Sequence, residues 1–419
     1  KSDSPSQDKA ITCKHLAVCG TKAAVPALAS LLSDEKLAAW ARIGLEAIPD
    51  PAVNEALRDA MGRLHGKLLV GVINSISRRG DAKAVGSLIE KTKDADIEVA
   101  SASVAALGCL GGDQAVETLE QMLPGASPAM LSVVCEACLK SAASMIARGK
   151  HRNAEKLCEM VLKTKASRHI RMEAMRNLIL AKKDSGIPLL VEQLKGEDTG
   201  MLAVALGLSH TMPGRKLTGT LAAEAGRLPA ERQVYVIEAL GCRGDKSAVP
   251  TLLTLAKSSF TNVSVAAIGS LSKLGDASAL PLLVELAVSG ENDISKAAQS
   301  ALVAFPSSEA DAACADLMTA KGAAHRVVGV DVMNRRGMGG AMPAVLKAAA
   351  GDPDENVRIA SLNLLREQGK LDNLPMVVEI LLKNRSAAEA QAVEKAMASI
   401  CGRQTDMGAC ADRLVPGLS

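Results

Sequence analysis

The chain has 419 residues, with 49 Lys plus Arg against 46 Asp plus Glu, and its net charge of +3 is too small to imply a polyanion partner without local clustering. Aromatic residues make up 1% of it, namely Trp40, Tyr235, Phe260 and Phe305, which leaves little to stack on bases, sugars or methylated lysines. No window approaches the roughly 18 uninterrupted apolar residues of a membrane span, so the chain is expected to be soluble, either cytoplasmic or exported after signal-peptide removal.

Residues 1–8 are polar and read as a disordered tail. Ile11, His15, Leu16 and Val18 then predict a lone helix ending near Cys19. An apolar residue opens each following unit, at Val25, Val53, Val85 and Val116. After an irregular stretch it returns at Ile187, Leu217, Val249, Leu280, Ala312, Met342 and Leu374, with Pro188, Pro250, Pro281, Pro343 and Pro375 directly after five of these. A last opening runs from Asp406 to Cys410. Three segments of one continuous array follow: regular repeats over 9–139, an irregular basic repeat over 140–186, and regular repeats over 187–419.

The cleanest unit lies between Gly244 and Gly275. Asp245 suits an N-cap and Pro250 the first turn of a helix, whose apolar side is Leu252, Leu253 and Leu255. Lys257, Ser258, Ser259 and Asn262 break it. Val263, Val265, Ala266, Ile268, Leu271 and Leu274 then recur by threes and fours along a second helix, and Gly275 sits where a left-handed cap would end it. The expected fold is all-α, a right-handed solenoid (superhelix) of about twelve to thirteen antiparallel helix pairs of about 31 residues each. An array that starts on a second helix and stops on a first helix leaves apolar ends, and head-to-tail self-association is one way to cover them.

The Gly-Asp-x-x-Ala-Val-Pro-x-Leu-Leu opening at Gly244 and the run Asp352, Pro353, Val357, Arg358, Ala360, Leu364, Gly369 resemble HEAT repeats, most closely the short bacterial HEAT-like repeats first associated with phycobilin lyases. The resemblance covers nearly the whole chain. It implies a helical scaffold and leaves function open, because scaffolds, inhibitors, lyases and nucleic-acid enzymes share it.

Charge clusters only over 140–186, where Arg148, Lys150, His151, Arg152, Arg168, His169 and Arg171 stand out as a candidate dock for an acidic or phosphate-bearing partner. Val116 and Ile187 are 71 residues apart, about nine more than two units need, which predicts longer helices there. Arginines also recur at the ends of second helices, at Arg78, Arg79, Arg243, Arg335 and Arg336, where they complement the helix dipole and are expected to line one edge as binding residues.

Of the ten cysteines, Cys19, Cys109, Cys242 and Cys401 sit one or two residues before a glycine and read as buried core thiols. Cys135 and Cys138 form C-x-x-C inside a helical pattern with no second pair, and Cys13, His15 and Cys19 are the nearest approach to a ligand set, so no metal or cofactor is predicted. No motif brings a nucleophile to a base, and neither Gly207-Leu208-Ser209-His210 nor Gly337-Met338-Gly339-Gly340 meets the pattern of an elbow or a phosphate loop. The leading expectation is a non-catalytic scaffold that binds another protein, or another domain of its own polypeptide, along a concave surface of second helices. A nucleic-acid binder using 148–176 and a lyase-like accessory for a cofactor are the alternatives.

Overall fold

A computed structural model describes residues 5–289, 291–383 and 386–415. Every regular element among them is helical. The chain divides into two compact units, 1–208 and 209–419, with the division inside one helix.

The first unit opens on α1 (Ser6–Cys19), which packs on α3 in the manner of a second helix. Pairs follow: α2 (Val25–Ser30) with α3 (Ala38–Ala47), α4 (Pro51–Arg63) with α5 (Gly66–Arg79), and α6 (Val85–Lys91) with α7 (Ile97–Leu110). Next come α8 (Asp113–Met122) with α9 (Pro128–Ala147), and α10 (His151–Leu162) with α11 (Arg168–Lys182). After α12 (Ile187–Lys195), α13 (Thr199–Thr211) carries the division.

The second unit pairs α14 (Arg215–Ala225) with α15 (Ala230–Arg243), α16 (Val249–Leu255) with α17 (Thr261–Leu274), and α18 (Leu280–Ser289) with α19 (Asn292–Ala304). It continues with α20 (Ser308–Leu317) and α21 (Ala323–Arg336), α22 (Met342–Gly351) and α23 (Glu355–Gln368), α24 (Leu374–Leu382) and α25 (Ala387–Gly402), and closes on α26 (Met407–Leu414). Because α1 begins at Ser6, residues 6–8 of the expected tail are helical, while residues 1–4 lie outside the described residues.

Local chemistry explains the joints. Gly244 ends α15 in the left-handed region at φ 68, which a Cβ would disfavour. The Asp245 carboxylate then accepts the Ser247 N–H at 3.1 Å and shapes one 3-10 turn, Lys246–Ala248, from which α16 starts with Pro250 in its first turn. Asp276 with Ser278 and Asp81 with Lys83 repeat this device. Second helices pack on one another from α1 to α11 in the first unit and from α15 to α25 in the second, and in the first unit Leu, Val and Ala of successive pairs share one core in which Leu28, Leu45, Leu57, Ile73, Leu88, Leu107 and Leu119 are fully buried.

Most of the expected register holds, but Val265 and Ala266 are half-buried on α17, Ile11 and Val18 are exposed on α1, and two further changes occur. Leu252 and Leu255 are buried on α16, but Leu253 is half-buried. Ala312 is exposed, because α20 starts without the 3-10 turn and turns Ala310, Cys314 and Leu317 inward instead. Most of the excess in the 71-residue gap lies in α9, whose 20 residues exceed the 14 of α5, α7, α15 and α17. By length and composition α9 alone, among the described residues, is apolar enough to cross a membrane; Glu136 and Lys140 interrupt it and half of its apolar window is buried.

Candidate partner-binding face

Charges of the basic stretch do not form one ridge. Arg148, Lys150 and Arg152 lie where α9 gives way to α10, whereas Arg168, His169 and Arg171 open α11. A helix of 12 residues separates those two places, about 18 Å at 1.5 Å per residue. Several of the cations also have carboxylate partners: Lys150 pairs with Asp113 at 3.3 Å and Arg168 with Asp198 at 2.7 Å across repeats, and Lys182 pairs with Glu155 and with Glu159 within its own. Side-chain hydrogen bonding from Arg168 leads the causes that lower the Asp198 pKa. The His151 ring turns inward, with Nδ1 buried and unbonded, and His169 meets the Ser167 hydroxyl at 3.1 Å. Arg148, Arg152 and Arg171 stay exposed.

The arginines ending second helices divide in two. Arg79, Arg243 and Arg336 each reach back across the repeat boundary to the end of the preceding second helix and the loop after it. Arg79 donates from Nη1 to the carbonyl of Ile48 at 2.8 Å, from Nη2 to that of Asp50 at 3.1 Å, and from Nε to Asn54 Oδ1 at 2.5 Å. Arg243 makes the same set with Met212 at 2.6 Å, Gly214 at 2.8 Å and Thr218 Oγ1 at 2.9 Å. Arg336 does so with Phe305 at 3.0 Å, Ser307 at 3.5 Å and Asp311 Oδ1 at 2.9 Å. The separations of 31, 29 and 25 residues are identical in all three. Burial lowers the pKa of Arg79 and of Arg243 from the ordinary arginine value. Carbonyls that end a helix have no intrahelical donor, and a planar five-donor cation satisfies several at once. By contrast Arg78, beside Glu46 at 3.3 Å, is 78% exposed, and Arg335 reaches Asp331 and Ser300 from the surface.

A second arginine device went unread in the sequence. Arg358 donates Nη1 to the carbonyls of Asp352 and Pro353 and its Nε to Glu389 of the following pair. Arg326, 32 residues earlier, does the same with Ala320, Lys321 and Asp352. Burial pushes the Asp352 carboxyl up, yet the bidentate Arg326 and the Asp354 N–H outweigh it and hold the pKa below the usual carboxylate value.

Cysteines also fall differently. Cys19, Cys109 and Cys242 are exposed and Cys401 is half-buried; Cys109 and Cys242, two residues before a glycine of positive φ, belong to the strip that faces away from the core, as Ala105 and Glu238 one turn earlier do. Cys135, Cys138 and Cys158 are the buried thiols of α9 and α10, with burial pushing Cys138 and Cys158 each up to about 12. No cluster of three metal-ligating side chains occurs among the described residues.

A further open surface is the free strip of the second helices. It carries Trp40, Ile43 and Ala47 on α3, Asn74 and Arg78 on α5, Ala105 and Cys109 on α7, Tyr235 and Glu238 on α15, and Lys296 and Ser300 on α19. A groove of about 440 Å³ crosses α19, α21 and α23, lined by Gln299, Asp331, Asn334, Asn363 and Arg366 among others.

Residues 221–303 match the family model of HEAT repeats. No curated protein matches the chain in sequence. Among solved structures, the karyopherin Kap121p bound to the extreme C-terminus of the protein phosphatase Cdc14p is similar over 93% of this chain and 51% of that one, at 12% identity and a TM-score of 0.52. Kap121p bound to Pho4p is similar over the same shares at 12% identity and 0.51, and Kap121p bound to the SUMO protease Ulp1p over 93% and 50% at 11% and 0.52. The chain spans about half the length of these structures, and the likeness is one of fold, an all-α solenoid.

Proposed function

We propose, from the premise that residues 221–303 are HEAT repeats within an all-α solenoid, that the protein is a non-catalytic scaffold binding another protein, or another domain of its own polypeptide, along the free strips of its second helices. One observation carries this reading. The chain fills its core with Leu, Val and Ala and has only four aromatic side chains, yet Trp40, Tyr235 and Phe260 are exposed and Phe305 alone is buried. Trp40 and Tyr235 both stand on second helices. Trp and Tyr dominate the few side chains that anchor protein interfaces, so their placement outside the core favours a partner. The Kap121p structures of like fold are complexes with other proteins, in one case with an extreme C-terminus, which agrees with such a mode.

Arg79, Arg243 and Arg336 tie three of the repeats to the ones before them, while Arg78 and Arg335 remain able to contact a partner. Photo-crosslinking tests the assignment of faces. Benzophenone side chains at Ala105, Tyr235 and Lys296 on second helices should trap partner peptides from the native extract, and the same groups at Thr254 and Lys347 on first helices should not. Equal yields from both sets would overturn the reading.

A further inference from the structure

We propose that α1, α3 and α5 together form a docking site for an acidic segment of a partner protein that carries apolar anchors, with Trp40 at its centre. The proposal rests on the scaffold reading and gives it a site and a ligand chemistry.

The apolar part comes first. On α1, Ile11 and Val18 are 49% and 88% exposed, seven residues apart and so on one side of the helix; on α3, Trp40 and Ile43 are 39% and 45% exposed, three apart. These two helices are neighbours in the layer of second helices. They pass so closely that a Cβ on Gly44 would lie 3.1 Å from the Cys13 carbonyl. Lys14 and Ile43, the sequence neighbours of that crossing, are both exposed. The third helix is tied to α3 by the Arg42 guanidinium on the Gly71 carbonyl at 3.1 Å and by the Ser75 hydroxyl on Glu46 at 2.6 Å.

Charge then selects the occupant. Lys14 on α1 and Lys67 and Arg78 on α5 are exposed, and α5 has no carboxylate at all. The single acid of α3, Glu46, already accepts Ser75 and Arg78 and keeps 16% of its side chain in solvent. An apolar centre with a positive rim fits a segment whose apolar side chains are set among Asp and Glu, the centre supplying affinity and the rim selectivity and encounter rate.

Trp40 is the one tryptophan of the chain, so its emission reports this site alone. The probe is a synthetic peptide with Leu and Phe among Asp and Glu residues, compared with one in which Ser replaces Leu and Phe, one in which Lys replaces the acids, and vesicles of anionic lipid. The acidic apolar peptide should shift the emission to shorter wavelength and protect it from acrylamide, with little effect from the Ser and Lys peptides. The triple variant K14E/K67E/R78E, with unchanged helicity, should bind it on the order of tenfold more weakly. No protection by the acidic peptide, equal protection by the Lys peptide, or protection by the vesicles alone would overturn the site. Should crosslinks at Ala105, Tyr235 and Lys296 still trap a partner, the scaffold reading survives that loss.

Discussion

An arginine one residue before a left-handed glycine can serve a helix dipole, a partner or a neighbouring repeat, and in Arg79, Arg243 and Arg336 the third role holds the guanidinium. Their main-chain acceptors are carbonyls of the preceding repeat, at and just past the end of its second helix. Arg243→Ala should therefore lower stability by about 1–3 kcal/mol, the usual effect of losing hydrogen bonds to a charged group. Arg243→Lys should recover less than half of it, because an ammonium cannot match three acceptors at fixed spacing. Urea unfolding is the measurement, with a lower midpoint and an unchanged slope expected; a variant as stable as the parent would remove the clamp. The recurrence of these arginines was legible in the sequence, but their acceptors were not, since a backbone carbonyl 31 residues away leaves no mark in residue type. Cys109 and Cys242 were misplaced for a related reason: apolar spacing shows that a helix has a buried side, and a one-residue error in phase moves a thiol to the surface.

Between elements, glycines separate by what lies opposite. Gly108 on α7 sits against α9, where a Cβ would come 2.6 Å from the Ala137 Cα, a backbone atom that cannot swing aside. Gly269 on α17 is exposed and meets nothing within 4 Å. Gly108→Ala should destabilise by about 1–3 kcal/mol through overpacking. Gly269→Ala should stabilise by roughly 0.5–1 kcal/mol, since a mid-helix glycine costs that much relative to alanine. Thermal unfolding of the two variants should move in opposite directions, and a shift of the same sign in both would refute the account. Helix pairs and left-handed glycine caps such as Gly244 and Gly275 could be read from the recurring apolar and glycine pattern, because each is a local property. The tight crossing of α7 and α9 could not, as its cause is a residue 29 places further on.

At the scale of the whole molecule, charge decides between a protein partner and a polyanion. A net charge of +3 supplies no long-range attraction, so nucleic-acid binding would need the cations of 140–186 to act together. They are instead spread over α9, α10 and α11, and Lys150, Lys156, Arg168 and Lys182 face carboxylates of their own or adjacent repeats. Binding a phosphate chain would require those pairs to break, which removes much of the gain from counterion release. Retention on heparin should accordingly be lost by about 0.15 M salt, where proteins that neutralise several phosphates still bind nucleic acid in the roughly micromolar range. Replacing Arg152, Arg168 and Arg171 together with Glu should leave partner binding and helicity unchanged. A steep logarithmic salt slope, abolished by that triple variant, would instead place several phosphate contacts on α10 and α11 and make the polyanion reading the better one.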